Sequence, residues 1–327
     1  MAHPAFGDPL TAFPDQDDSF MAAPLPGARL GDESKGLLYG LVGVVIFGLT
    51  LPAMRIAVAE LDPLFVGLGR SLIAAVIAAA SLAAARAPWP KRDDLPLLAI
   101  TAAGVVFGFP ALSAIAMVHA PAGHGGVVLA ILPLATALAS VVFAGERPSL
   151  GFWLSAVAGS GAVAAFAVLD GAFARAGIGA ADLALVVAVV AAAIGYATGA
   201  VLTRRLGGWQ TISWTLVLSF PVLAVVVPLV SGPIAWHAST AAWSAFGYVA
   251  VMSQYLGFFF WNKGLALGGV ARVGQVQLLQ TFVTLGGAGL VVGEPIGPLE
   301  IGFAAVVVAI VAIGRRMRVA GYAPPRS

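Results

Sequence analysis

The 327-residue chain contains no cysteine, which removes disulfides, thiolate metal sites and thiol chemistry. Charge is also scarce: 10% of the residues are charged and 60% are hydrophobic, where a soluble domain carries about 25% charge. So few charges cannot cover a surface that faces water, so most of the surface must face lipid. The fifteen carboxylates fall in the N-terminal region or near the ends of apolar runs, and none in the middle of one. A proton relay resting on a mid-membrane Asp or Glu is therefore disfavoured, which leaves histidine or another group, or no proton coupling. No Gly-rich phosphate cradle is present, which argues against an ATP-driven pump. Four histidines and scattered terminal carboxylates do not form the clustered acids, bases or metal ligands that a membrane-embedded enzyme, such as a lipid-modifying transferase, requires. No cofactor and no nucleic-acid partner is expected.

What is abundant is glycine, with 40 residues, as expected where helix backbones approach closely in a bilayer. Residues 1–35 stand apart: Pro4, Pro9, Pro14, Pro24 and Pro26 alternate with Asp8, Asp15, Asp17 and Asp18. With no apolar run to fold, this segment reads as a disordered polar tail, and it lacks the order of a cleaved signal peptide. Beyond it, windows of roughly 20 apolar residues give ten candidate spans, at about 36–58, 63–85, 95–118, 122–144, 149–169, 181–203, 211–230, 241–264, 271–292 and 297–317. An all-α membrane protein with ten transmembrane helices follows. If the N-terminus is cytoplasmic, one set of connections holds fourteen Lys and Arg residues and the other only Arg175. The positive-inside rule then places both termini in the cytoplasm. Shifting the count by one span would scramble this asymmetry.

The chain repeats weakly at an offset of 148. Residues 129–148 read LAILPLATALASVVFAGERP and residues 277–296 read QLLQTFVTLGGAGLVVGEPI. Gly145-Glu146 ends the fourth span and Gly293-Glu294 ends the ninth, so each closes the fourth span of a five-span half. Because five is odd, the second half enters the membrane from the other side. Inverted repeats of this kind place a site near the midplane and permit alternating access. The expected halves are 36–170 and 180–318, with a C-terminal tail at 319–327. A structural role for the Gly-Glu pair is a helix end followed by an acid at the next helix's N-terminus; a gate contact is the other.

These residues resemble the drug/metabolite transporter superfamily in its ten-helix EamA-like branch. The likeness rests on the two Gly-Glu segments, on their lead-ins Ala-Met-Val-His-Ala-Pro-Ala at 116–122 and Gly-Leu-Ala-Leu-Gly-Gly-Val at 264–270, and on Pro52 to Leu72 with Arg70. The resemblance implies an inner-membrane exporter of small metabolites, with amino acids, aromatic ones included, as the favoured substrates. Sugar derivatives, polyamines and cationic drugs are the alternatives. It also implies a central cavity between spans one to four and six to nine, with spans five and ten peripheral; the partners are then the substrate and membrane lipid.

Several polar groups fall within spans, where ionisable and hydrogen-bonding side chains are costly. Arg70 lies about two turns inside the second span and can either bind a substrate carboxylate bidentately or bond to backbone carbonyls. Arg55 is placed to snorkel. In the ninth span Gln277, Gln280, Thr281 and Thr284 follow i, i+3, i+4, i+7 spacing, marking either an interhelical seam or a cavity wall. In the eighth, Tyr248, Met252, Tyr255, Phe259 and Asn262 form a stripe that either lines an apolar pocket or packs. Trp214, Ser213 and Tyr196 are further candidates. His119 and His124 flank Pro121 without a neighbouring carboxylate in the sequence, so no metal site is expected, although His124 remains able to titrate in a pathway. Pro110, Pro133, Pro221 and Pro228 interrupt spans and are kink sites. Gly104-x-x-x-Gly108, Gly195-x-x-x-Gly199 and Gly289-x-x-x-Gly293 are spacings for close helix contact.

Overall fold

In a computed structural model, which describes residues 30–169, 179–292, 298–314, 317 and 319–320, the chain is a bundle of helices. Residues 1–29, Arg175, the Gly293-Glu294 pair and the C-terminal arginines Arg315, Arg316 and Arg318 lie outside the described residues. In chain order the helices are α1 (Gly31–Ala57), α2 (Phe65–Ala84), α3 (Arg92–His119), α4 (Ala122–Ala144), α5 (Leu150–Leu169), α6 (Ala180–Leu206) and α7 (Gly208–Val230). Then come α8 (Thr240–Tyr248, Val249–Leu256 and Gly257–Gly268), α9 (Val270–Gly274, Gln275–Leu279 and Gln280–Val292) and α10 (Pro298–Gly314). Six of them, α1 to α4, α6 and α7, are long and apolar enough to cross a membrane. The outer surface is greasy: Val142, Leu150, Leu229 and Leu290 are each three-quarters exposed or close to it, as lipid-facing side chains must be.

Helical backbone begins at Leu30, just ahead of the apolar span Gly31–Ala57, so the last residues of the expected polar tail are helical. Asp32 and Glu33 in its first turn favour that start through the helix dipole.

Glycine lets the helices touch. A Cβ at Gly104 would lie 2.3 Å from the Ala191 carbonyl oxygen, and one at Gly264 would lie 2.7 Å from the Gly40 nitrogen. The α3/α6 and α1/α8 crossings therefore bring backbone against backbone, and Ala at either position would force them apart. Two hydroxyl pairs bridge the same crossings: Thr101 with Thr198 and Thr50 with Ser253, both at 2.8 Å. Thr50 and Thr198 are separated by the repeat offset of 148, so the two crossings are equivalent contacts in the two halves.

Three helices carry π segments, Phe65–Gly69 in α2, Ala103–Gly108 in α3 and Val249–Leu256 in α8. Adding 148 to 103–108 gives 251–256, inside the third segment, so the irregularity itself is repeated. Such segments concentrate at functional sites. Pro110 follows the α3 segment and cannot donate to Val106 O; that carbonyl accepts from Ser71 Oγ at 3.1 Å instead. By contrast, Pro221 and Pro228 sit inside an uninterrupted α7.

The two ends of the bundle differ in charge. One gathers Arg205 with Asp94, Arg272 with Glu33, and Lys263 over the Tyr39 ring; here Arg147–Pro148 pairs antiparallel with Val319–Ala320. We call it the basic end. The other, the acidic end, holds Glu60 bonded to Ser239, Asp62 bonded to the Phe65 N–H, and Asp182 bonded to His124.

Candidate functional site

The glycines of the α2 π segment bring α2 against α3: a Cβ at Gly67 would lie 2.7 Å from the Pro110 carbonyl oxygen. Arg70 follows directly and points into the bundle, 1% exposed. There it borders a hollow shared by α1, α2, α3, α6, α8 and α9, where Thr50, Tyr196, Ser253, Gln254 and Gln280 supply the other polar groups. Phe47, Phe109 and Phe258 supply apolar walls. The hollow holds about 340 Å³ of space between atoms, so dispersed among the side chains that only a water-sized body fits.

The polar groups are unequally satisfied. Thr50 and Ser253 bond each other, and Gln254 Nε2 donates to Val105 O at 2.9 Å. Arg70 Nη1 reaches only the Met54 sulfur, at 3.7 Å. Arg70 Nε and Gln280 Oε1 are buried without a hydrogen-bond partner. Among the described residues no carboxylate lies within salt-bridge distance of Arg70. A buried guanidinium with neither counter-ion nor full hydrogen bonding is costly, and here it stands beside an unused acceptor. Together they present one strong donor and one acceptor to whatever enters. The surrounding rings are fixed by each other: Tyr196 lies 6.2 Å from Phe47 and 5.3 Å from Trp261.

The eight site residues expected from sequence do not all meet here. Arg70, Tyr196 and Gln280 do. Gln277 accepts from Thr136 at 3.2 Å, and Thr284 donates to Gly48 O at 2.7 Å; with Thr281, which donates to Gly126 O, they form an interhelical seam. Only Gln280 of that stripe borders the hollow. Tyr255 bonds Ser213 at 3.0 Å and Asn262 donates to Gly208 O at 3.3 Å, so both face α7. Trp214 meets Trp89 in a tilted pair with ring centroids 4.6 Å apart, in a separate cleft at the basic end with Asp94, Arg205 and Gln210. Of the two roles left open for the eighth-span stripe, Tyr255 and Asn262 take packing, with the Phe259 ring 4.7 Å from that of Tyr255. From this helix Ser253, Gln254 and Phe258 border the hollow. The interruption of an apolar run by adjacent Ser253 and Gln254 was the visible clue.

Two more expectations need correction. Glu146 does not sit on the next helix in sequence. It is fully buried, and its two carboxylate oxygens accept the Val270 and Ala271 N–H groups at 2.7 Å each, which places it on the first turn of α9. His124 does have a carboxylate nearby: its Nε2 lies 2.6 Å from Asp182 Oδ1. One carboxylate does not make a metal site, and no group of three such ligands occurs among the described residues.

Comparison with known proteins agrees with this architecture. The EamA-like transporter family matches residues 34–168 and again 179–314. An uncharacterised transporter of Bacillus subtilis (strain 168), YdeK, is 41% identical over 291 residues, covering 86% of this chain and 98% of that protein. A probable terminal-alkyne amino-acid exporter of Streptantibioticus cattleyicolor is 31% identical over 273 residues, covering 77% and 86% respectively. A crystal structure with 20% identity superposes with a TM-score of 0.65 over 86% of this chain and 96% of that one, a likeness of fold alone. Matched twice along its length, the chain belongs to the EamA-like transporter family and is a multi-pass membrane transporter.

Proposed function

We propose that this transporter exports amino acids with apolar or aromatic side chains by alternating access around the Arg70 hollow. The observation that carries the reading is the buried Arg70 whose Nε has no hydrogen-bond partner, with no carboxylate in reach among the described residues. A substrate carboxylate would complete it bidentately. Gln280 Oε1 offers an acceptor to the ammonium group, and Phe47, Phe109, Phe258 and Tyr196 offer a wall for the side chain. A single permanent cation and no acid in the lining disfavour polyamines and cationic drugs. The similarity to a probable terminal-alkyne amino-acid exporter supports the same substrate class.

Only a water-sized body fits the hollow, so on this reading a substrate enters once one end parts. On this reading all ten helices span the bilayer. The basic end faces the cytoplasm by the positive-inside rule, and the two matched segments move against each other.

Counterflow in proteoliposomes tests the proposal, with vesicles preloaded with unlabelled amino acid and labelled Phe, Met or Thr outside. Accumulation of label is expected, and Arg70→Ala should reduce it about thirtyfold or more, since removing one partner of a buried charged pair costs about 2 kcal/mol or more. Gln280→Ala should reduce it about fivefold, in keeping with one lost hydrogen bond. Absence of accumulation across the set would overturn the substrate class, and unchanged counterflow in Arg70→Ala would overturn the site.

A further inference from the structure

The start of α9 and the start of α4 occupy related places in the two halves, and each is tied to the start of another helix by a side-chain pair. At the basic end Arg272 Nη1 lies 2.5 Å from Glu33 Oε1, joining α9 to α1. At the acidic end His124 Nε2 lies 2.6 Å from Asp182 Oδ1, joining α4 to α6. Subtracting 148 from 272 gives 124, and subtracting it from 182 gives 34, one residue from Glu33. The two contacts are therefore counterparts, built with different cations. Arg272 stays protonated at any physiological pH. Histidine as a residue type changes charge within the physiological range, so a His–carboxylate contact can be either a neutral hydrogen bond or an ion pair.

Both members of the acidic-end pair are well enclosed, with His124 side-chain exposure at 3% and Asp182 at 14%. Asp182 is held in place by the Gly179 N–H, which donates to its Oδ2 at 2.8 Å. The pair joins the two matched segments, and those are the parts that must separate for this end to open. Of the helices packed around α4's first turn, α5 brings no titratable side chain, the described part of α9 brings Arg272, which is paired with Glu33 at the basic end, and at this end α3 brings His119 and α1 brings Arg55. Arg55 is engaged with the Met117 and Val118 carbonyls, and His119 is exposed. Two other enclosed carboxylates lie at the basic end, where Glu146 accepts two backbone N–H groups and Asp94 is paired with Arg205.

We propose that His124 and Asp182 form a proton-binding latch that closes the acidic end. A proton taken up from water at that end leaves both ring nitrogens protonated, and the imidazolium then pairs with the Asp182 carboxylate as Arg272 pairs with Glu33. Loss of the proton weakens the contact and releases α4 from α6. Acid at this face therefore favours closure, and a carrier that has discharged its substrate there recloses faster the more acidic that face is. The ligand is the proton itself, and the latch requires no particular substrate.

The test reads conformation, so it remains informative if the amino-acid reading fails. Because the chain has no native cysteine, spin labels can be placed directly on cysteines substituted for Ala59 and Leu183, one in each matched segment at the acidic end. Pulsed electron–electron distance measurement on the full-length protein in vesicles then gives the ratio of open to closed forms. Between about pH 8 and about pH 5.5 the ratio should fall about fivefold or more, the lower bound of a typical coupling between sites. Asp182→Asn and His124→Gln should each reduce the response to less than about twofold, while His119→Gln should leave it intact. If one latch variant fails to fold, the other carries the test, and binding to the monodisperse peak in size-exclusion chromatography identifies which is folded. A full pH response in either folded latch variant, or its loss only in His119→Gln, would overturn the proposal.

Discussion

At the basic end the first turn of α9 is held twice, by Arg272 on Glu33 and by both oxygens of the buried Glu146 on its backbone amides. At the acidic end the related turn of α4 is held, among the described residues, by His124 on Asp182, with Glu60 tying the α1–α2 connection to Ser239 nearby. The first set of contacts is built from an arginine, two glutamates and backbone amides; the second includes a histidine, which under the proposed latch changes charge with the medium. In an inverted-repeat carrier the two ends carry out equivalent motions, so a difference in latch chemistry becomes a difference in how each motion responds to its surroundings.

The comparison can be broken most sharply by making the ends alike. His124→Arg should hold the acidic end shut at every pH, slowing counterflow about tenfold or more if the added ion pair is worth about 1.4 kcal/mol. The spin-label ratio should then stop responding to pH. The reciprocal change, Arg272→His, should confer a pH response on the basic end, with opening there about fivefold easier at about pH 8 than at about pH 5.5, read from labels placed at that end. Glu146→Gln should be milder. An amide has one acceptor oxygen, so one of the two α9 N–H groups loses its partner, at about 1–3 kcal/mol. A lowered unfolding temperature and a population more open at the basic end would register this.

The smallest effect belongs to Glu60, which lies outside the helices and whose carboxyl is held below its usual 4.5 by hydrogen bonds from the Ser239 side chain and backbone. A carboxyl lowered on folding adds stability above its unfolded value and loses it as pH falls through the folded one. Ser239→Ala should therefore bring the Glu60 titration, followed by NMR, back toward 4.5; because Ser239 Oγ also caps α8 by accepting the Ala242 N–H at 3.2 Å, stability should fall by about 1 kcal/mol at every pH, with a small further loss only above that region.

Much of the fold was legible in the sequence because the membrane imposes a simple code: long apolar runs, glycine where helices touch, and charge at the ends. Arg70, Tyr196 and Gln280 stood out for the same reason, as polar groups that lipid would reject, and all three border the hollow. What was not legible is non-local or depends on backbone winding. Nothing near Glu146 in sequence points to Val270, and nothing near His124 points to Asp182; only folding brings the halves together. Tyr255 and Asn262 face α7 and not the hollow, and which of its two open roles that stripe takes depends on contacts distant in sequence.

The π segments also bear on how such a transporter acquires a new preference. A π turn accommodates one residue more than the α-helix around it, as a single-codon insertion would leave it. Removing one residue from Val249–Leu256 would restore α winding while leaving the residues beyond it facing as they do. The residues inside the segment, Ser253 and Gln254 among them, would be reset against the hollow in one event, with the rest of the helix unaltered. Among relatives of this chain, changes of substrate are therefore to be sought in the length of this helix as much as in the identity of its residues.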